Sequence, residues 1–160
     1  MDALVVRLAD LQIKLKALED KATTQVAFSA VAAYGGTYGP FDVTIPLVYN
    51  EVITNIGNSY NSGTGIFAAP VDGVYFFTFF YHAGGEHPSN LTLVRNSDTI
   101  VTSTDHRSCA DNADNGGNAA YLHLKRGDQV HVRMEKSTTI WASDSHTSFS
   151  GHLISQTSEE

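Results

Sequence analysis

The sequence holds a single cysteine, Cys109, among its 160 residues. A lone cysteine excludes a disulfide within the chain, so the thiol is either free or bridged to a second chain. Long hydrophobic runs are missing as well, because no stretch approaches the roughly 20 apolar residues that a membrane-spanning helix needs. The sequence therefore predicts no membrane insertion.

Positive charge is also scarce. Ten Lys and Arg stand against 17 Asp and Glu, which gives a net charge of −7. Nucleic-acid binding needs clustered basic residues, and those present here are scattered, so DNA and RNA are excluded as partners. The sequence has no nucleophile elbow, phosphate-binding Gly loop or His-Glu-x-x-His motif. We therefore expect no enzymatic activity and no required cofactor.

Residues 1–22 form a predicted helix with a heptad seam. Gly and Pro are absent, and apolar residues recur at alternating spacings of three and four. These residues are Met1, Leu4, Leu8, Leu11, Leu15, Leu18 and Ala22. A helix of this length is marginal alone in water, so it needs a partner surface. We predict a coiled coil over 1–24; a helix docked on its own domain is the alternative.

From Val26 the hydrophobic period changes to two, and turn residues separate the apolar runs. Many short strands at such spacing indicate a sandwich, jelly roll or barrel. The strands are predicted at 26–31, 65–69, 74–82, 91–95, 99–104, 119–124, 129–135 and 148–154, and a turn at 112–118. The globular domain is predicted over 25–156, followed by a disordered tail at 157–160.

The strand at 74–81 is unusual because both of its faces are apolar. Its two faces consist of Tyr75, Phe77, Phe79 and Tyr81 on one side, and of Val74, Phe76 and Phe80 on the other. A sandwich strand turns only one face to its own core, and an aromatic outer face is uncommon on a soluble monomer. We predict that a neighbouring subunit covers the second face; a loop or helix of the same chain is the alternative.

Residues 49–79 resemble the signature of the C1q globular domain family. The matching positions are Tyr49, Asn55, Tyr60, Phe67, Gly73, Tyr75, Phe77 and Phe79. Only Tyr49 departs from the signature, since the family usually has Phe there. The resemblance extends over about 26–155, and 54–58 and 80–85 are especially similar to cerebellin-type and teleost C1q-like proteins.

The resemblance implies an all-β fold, a ten-stranded two-sheet jelly-roll sandwich that forms a homotrimer about a threefold axis, as tumour necrosis factor does. No Gly-X-Y collagen repeat is present. We therefore expect the short N-terminal coiled-coil helix to align three heads. The trimer interface is predicted to include the leucines from Leu4 to Leu18, together with Val74, Phe76 and Phe80. A secreted, extracellular protein is also implied.

Oxygen-bearing side chains concentrate in the segment 105–115. Carboxylates and amides on one flexible segment suit a hard cation such as Ca²⁺, whereas an ordinary polar turn is the alternative. The resemblance implies that some family members hold Ca²⁺ at the trimer apex with Asp residues of this loop. Asp105, Asp111 and Asp114 are the candidate ligands.

Aromatic, histidine and carboxylate side chains that can contact sugars occur in three predicted loops. The candidate ligand-binding residues are Tyr34, Tyr38, His82, Glu86, His87, Trp141 and His146. Seven histidines do not show the converging spacing of a zinc site. Asn90-Leu91-Thr92 is an N-glycosylation sequon, which favours a surface position in a secreted protein.

For soluble C1q-like proteins, the resemblance implies lectin-like pattern recognition in innate immunity. The trimer would bind microbial surface glycans or lipopolysaccharide, because three linked heads convert weak single-site binding into avidity. Two alternatives stay open. One is a cerebellin-like extracellular organiser that binds a specific cell-surface receptor, and the other is a structural matrix component that assembles with Ca²⁺.

Overall fold

The computed structural model describes residues 2–110 and 113–157 of the chain. They form one helix, α1 (Ala3–Thr23), and thirteen strands. The strands are β1 (Ala27–Val31), β2 (Thr37–Tyr38), β3 (Ile45–Pro46), β4 (Glu51–Ile56), β5 (Tyr60–Asn61), β6 (Ile66–Ala68), β7 (Gly73–Ala83), β8 (Ser89–Arg95), β9 (Asp98–Asp105), β10 (Asp114–Leu124), β11 (Gln129–Met134), β12 (Ile140–Trp141) and β13 (Ser148–Gln156).

The strands pair antiparallel in two sheets. In the first sheet β7 lies between β10 and β13, and β1 and β4 follow beyond β13. The short strand β12 pairs with the C-terminal end of β7, at His82, and β2 pairs with β12. The second sheet has the order β5-β6-β11-β8-β9, with β3 beside β11. The predicted two-sheet β sandwich with an N-terminal helix is confirmed.

Aromatic rings fill the space between the sheets. Phe28 of β1 stacks on Tyr60 with ring centroids 4.7 Å apart and meets Phe149 edge-on at 4.9 Å. The buried aromatic positions of the signature are Tyr49, Tyr60, Phe67, Tyr75, Phe77 and Phe79. The signature spacing therefore reflects the packing of one aromatic core.

Asn55 has a different function in the same signature, because its amide closes a turn. Its Nδ2 donates to the Tyr60 carbonyl at 2.8 Å, and its Oδ1 accepts from the Tyr60 amide at 3.3 Å. Gly57 and Asn58, inside this turn, have positive φ angles of 81° and 51°, which glycine and asparagine tolerate best. The turn leads the chain from β4 of the first sheet into β5 of the second.

The helix α1 begins where the Asp2 side chain accepts from the Leu4 amide at 3.2 Å, an N-cap bond. It ends where the Thr24 hydroxyl donates back to the Asp20 carbonyl at 2.8 Å. None of its residues is buried, and the seam leucines are 55–68% exposed. The helix therefore does not bury its seam on its own head. In the described part of the chain, no helix is long and apolar enough to span a bilayer.

The short strands β2, β3, β5 and β12 were not predicted from the sequence. Two longer parts of the strand assignment also differ from the expectation. The predicted turn at 112–118 is strand from Asp114 onward. Gly116 and Gly117 indicated a turn, but they lie opposite Tyr81 and Phe80, whose rings occupy the space that a Cβ would need. The strand β4 was not predicted at all, because its apolar residues are mostly exposed and follow no alternation.

At the C-terminal end, the Thr157 amide donates to the Asp72 carbonyl at 3.0 Å. The first residue of the predicted disordered tail is thus bonded to the head, and 158–160 lie outside the described residues.

Candidate functional site

Three of the predicted ligand-binding residues, Glu86, His87 and Trp141, line one cleft at the end of the first sheet. The cleft has a volume of about 240 Å³, and Thr37 and Thr139 add hydroxyl groups to its lining. Trp141 reaches it because β12 pairs with β2, which sets Trp141 opposite Thr37. The cleft therefore unites segments that are about 100 residues apart in the chain.

One backbone and one side-chain hydrogen bond hold the two sides of the cleft together. The Thr139 amide donates to the Pro88 carbonyl at 3.0 Å. The buried Ser89 hydroxyl donates to the Thr139 carbonyl at 2.5 Å. These bonds fix the loop 84–88 against the segment that carries Trp141, so the cleft is preformed in the single chain.

An aromatic group lies next to the cleft. Tyr34 and Tyr38 stack with ring centroids 4.3 Å apart and an interplanar angle of 14°. Burial raises the pKa of the Tyr34 hydroxyl, and the neighbouring Tyr38 raises it further. Gly36, with a φ of 80°, lies under the indole of Trp141, since a Cβ there would be 3.7 Å from the ring. A side chain at Gly36 would strain the backbone, because φ lies in the left-handed region.

His82 and His146 form a second polar group beside Trp141. Their ring centroids are 5.0 Å apart, and His82 Nδ1 lies 2.9 Å from the Asn115 amide oxygen. The register places His82 of β7 directly opposite Trp141. The structure thus brings all seven predicted residues to one end of the first sheet, in two adjacent groups and a stacked tyrosine pair.

The composition of the cleft suits a sugar ring. An indole offers an apolar face to the C–H side of the ring, while a carboxylate and an imidazole accept from or donate to its hydroxyl groups. Thr37 and Thr139 lie in two of the predicted ligand-binding loops, 34–38 and 139–146, but they were not chosen as individual ligand-binding residues, because nothing local distinguishes them from other threonines. The small volume limits the cleft to one ring-sized group.

A second feature is a row of side chains across the outer face of the first sheet. The register aligns Tyr121, Phe76, His152, Ala27 and Ile56 on five adjacent strands. The Phe76 ring centroid is 4.9 Å from that of Tyr121 and 5.8 Å from that of His152. Tyr121 is nevertheless 70% exposed. The row is a largely apolar surface that its own chain leaves open.

Phe80 lies on the same face of β7, beyond Thr78 from this row. It is 52% exposed, and its ring lies over Gly117 of β10. Val74 and Phe76 are half-buried. The alternative that a loop or helix of the same chain covers this face does not fit Phe80. Tyr121 was missed in the sequence analysis, although alternation within 119–124 points it to the same side.

The predicted Ca²⁺ segment is described only in part, because Asp111 lies outside the described residues. Burial raises the pKa of the Tyr81 hydroxyl and a hydrogen bond to Ser103 lowers it. The charges of Asp105 and Asp114 raise this pKa further, so both carboxylates lie near Tyr81. Asp105 Oδ2 is buried without a hydrogen-bond partner within the described ranges, which fits a cation ligand. Residues 2–110 and 113–157 contain no group of three or more His, Cys, Asp or Glu placed to hold a metal, and Ca²⁺ binding stays a prediction.

The sequon and the cysteine were both predicted to be modified or bridged. Asn90 is on β8, and the Thr92 hydroxyl is 3.0 Å from that of Thr102 on β9. Cys109 is an exposed free thiol. Glycosylation of Asn90 and bridging through Cys109 stay predictions.

Comparison with known proteins identifies the domain. The sequence profile described as C1q domain matches residues 27–154. Caprin-2 of Danio rerio is 30% identical over 133 residues, which are 82% of this chain and 14% of Caprin-2. Complement C1q tumor necrosis factor-related protein 3 of Mus musculus is 34% identical over 113 residues, 69% of this chain and 45% of that protein. The chain thus spans less than half the length of these curated relatives.

Solved structures show the same fold. The globular domain of zebrafish complement 1qA superposes with a TM-score of 0.67 at 22% identity, covering 82% of this chain and 99% of that one. Eiger TNF from S. frugiperda gives a TM-score of 0.68 at 14% identity, with coverages of 84% and 96%. Murine APRIL gives 0.65 at 12% identity, with coverages of 82% and 100%.

The profile match covers most of the chain, and the signature aromatics that carried the resemblance form the core of the sandwich. C1q-type domains are non-enzymatic ligand-binding or structural modules, which confirms the prediction that the chain is not an enzyme. The chain belongs to the C1q domain family.

Proposed function

We propose that this protein is a secreted homotrimer that binds repeated glycans on microbial surfaces through the cleft at Trp141. The single observation that carries the ligand class is the preformed cleft in which an indole, a carboxylate and an imidazole converge. Ligand binding of a general kind is what C1q domains do. The glycan, the trimer and the role in innate immunity are the proposal.

The outer face of the first sheet supports association. Phe80 and Tyr121 are 52% and 70% exposed on a surface that contains few charges. A hollow of about 250 Å³ beside Phe76, lined by Ser29, Thr78 and other small residues, could receive a side chain from a neighbouring subunit. Exposed apolar patches of this kind are characteristic of interaction sites.

The helix supports the same assembly from a separate part of the chain. Its seam leucines are at least 55% exposed, and a helix with an unburied apolar seam is marginal in water. Three parallel copies would bury Leu4, Leu8, Leu11, Leu15 and Leu18 against one another. Helix and head would then contribute to one threefold assembly.

Avidity is the reason why a trimer suits this ligand. A cleft of about 240 Å³ contacts one sugar residue and binds it weakly. When three clefts engage a repetitive surface, the second and third binding events become intramolecular, and the overall affinity rises by about 10²–10⁴. A repeated glycan is therefore a ligand that three linked clefts bind more tightly than one cleft does.

The test is a microbial glycan array probed with the intact chain and with Trp141→Ala. Val43→Ala is the control, because Val43 is 62% exposed on a loop away from the cleft. We expect glycan signals for the intact chain and the control, and a marked reduction of these signals in Trp141→Ala. A blank array together with saturable binding to one receptor ectodomain would overturn the proposal in favour of the organiser function. Assembly only with Ca²⁺, reversed by chelator, would favour the matrix function.

A further inference from the structure

The outer face of the second sheet carries a polar groove that is separate from the cleft at Trp141. The register aligns Arg133, Thr92 and Thr102 across β11, β8 and β9, and places Asn90 opposite Thr104 in the next row. The groove has a volume of about 540 Å³. Its size lies within the range of small-ligand sites.

The floor and the walls of the groove differ in exposure. Thr92 is 2% exposed, whereas Thr102 and Thr104 are exposed. Lys136 and His106 complete opposite rims. Apart from Pro88, the lining residues have polar side chains, so hydrogen-bonding groups surround the space in which a ligand would lie.

The charges in the groove balance. Arg133 and Lys136 are cations, and Glu135 and Asp105 are anions. Both Glu135 oxygens are already used, because one accepts from Arg133 Nε at 2.9 Å and the other from the Thr44 hydroxyl at 2.7 Å. A strongly anionic ligand would meet Asp105 and Glu135 at short range, so the groove does not favour one.

Unused hydrogen-bonding groups of both kinds remain. Asn90 Oδ1 is a buried acceptor with no partner among residues 2–110 and 113–157. The Lys136 ammonium has no acceptor in those ranges either. A buried acceptor without a donor is unfavourable, and the terminal torsion of an Asn amide is broad enough to turn its oxygen toward a ligand. A hydroxyl group both donates and accepts, so it satisfies both kinds of group.

We propose that this groove is a second saccharide-binding site, which takes a neutral sugar residue by its vicinal hydroxyl groups. Asn90 accepts from the sugar, while Lys136 and Thr104 donate to it. The inference shares only the ligand class with the proposed function, since the groove and the cleft at Trp141 are lined by different residues. One head would then contact a branched or extended glycan at two places.

Glycosylation of the sequon would block the groove. Asn90 is part of the groove, so a glycan attached to it would occupy the site. The test therefore uses the intact chain produced in a host without N-glycosylation.

Saturation-transfer difference NMR measures the binding of methyl α-D-mannoside, methyl β-D-glucoside and methyl β-D-galactoside, with methyl β-D-glucuronoside as the anionic probe. The background is Trp141→Ala, in which the cleft is disabled. Thr104→Val removes one groove hydroxyl, and Thr64→Val is the matched change at an exposed threonine outside the groove.

In the Trp141→Ala background we expect at least one neutral glycoside to bind. Adding Thr104→Val should weaken that binding about 3- to 10-fold, the effect of one hydrogen bond, whereas adding Thr64→Val should leave it unchanged. The inference is overturned if Trp141→Ala alone abolishes all neutral binding, if Thr104→Val has no effect, or if only the glucuronoside binds. The first of these results would leave the proposed function intact. Array signals that Trp141→Ala does not reduce would count against the cleft and leave the groove untouched.

Discussion

Phe80→Ala should weaken association of the chain without destabilising its fold. Phe80 is 52% exposed, and a large aromatic side chain has about 200 Å² of surface. A neighbouring subunit can therefore bury about 100 Å² of the ring. At about 25 cal/mol per Å², this burial contributes about 2.5 kcal/mol per chain. Alanine retains a small part of that area, and the loss is about 2 kcal/mol per chain or about 6 kcal/mol per trimer.

The loss translates into a measurable concentration shift. A change of about 6 kcal/mol raises the trimer dissociation constant about 10⁴-fold. Half-dissociation of a trimer depends on the square root of that constant, so the midpoint moves to a chain concentration about 100-fold higher. Sedimentation velocity over a dilution series measures this midpoint directly.

Val43→Ala is the matched control, because Val43 is 62% exposed on the loop between β2 and β3. It should leave the midpoint and the melting temperature unchanged. A Phe80→Ala midpoint within about threefold of the parent, together with a lowered melting temperature of the dilute single chain, would refute the reasoning. The ring would then be packing against its own subunit.

Three further outcomes are expected. Leu11→Glu places a charge in the heptad seam, so it should lower both the helix content measured by circular dichroism and the average mass of the assembly. Ile13→Glu, at an outer heptad position that is 70% exposed, should change neither quantity. Equal effects of the two substitutions would argue against a coiled coil. Trp141→Ala should reduce glycan affinity at least 10-fold in surface plasmon resonance, as expected when about 1.4 kcal/mol or more of ring contact is lost, and a retained affinity would exclude the cleft. Burial raises the pKa of Tyr60 to about 12, above the unfolded value of 10, so the folded state favours the neutral phenol. It loses stability as the pH rises from 10 to 12, by roughly 3 kcal/mol for this group. Thermal unfolding of Tyr60→Phe should therefore depend less steeply on pH in this window than unfolding of the parent chain, and equal slopes would contradict the assignment.

The core was predictable because the signature residues alternate within single strands. Tyr75, Phe77 and Phe79 show the period of two directly, and their burial follows from it. Asn55 could be placed in the signature, but its bidentate bond to the Tyr60 backbone appears only in three dimensions. The function of a polar signature residue depends on its hydrogen-bond partner, which the spacing does not reveal.

The strands β4 and β10 show why the rest of the fold was harder to predict. Gly116 and Gly117 indicate a turn when they are considered alone, yet they serve β10 by leaving room for Tyr81 and Phe80 of the opposite strand. The reason for a glycine there is a nonlocal contact. The strand β4 lies at a sheet edge, so no alternation of buried and exposed residues marks it in the sequence.

The members of the cleft were predictable by type but not by arrangement. Trp141, Glu86 and His87 were chosen because such side chains can contact sugars. Their convergence depends on the pairing of β12 with β2 and β7, which joins distant segments. The polar groove on the outer face of the second sheet was not predicted, because its residues come together only through the register of three neighbouring strands.

The mass of the intact chain in solution tests the central claim most directly. Light scattering at micromolar concentration should give about three times the chain mass of 17.3 kDa. A mass near 17.3 kDa that persists at high concentration, with the Phe80 and Tyr121 rings open to water, would contradict the trimer on which both the avidity and the interface depend.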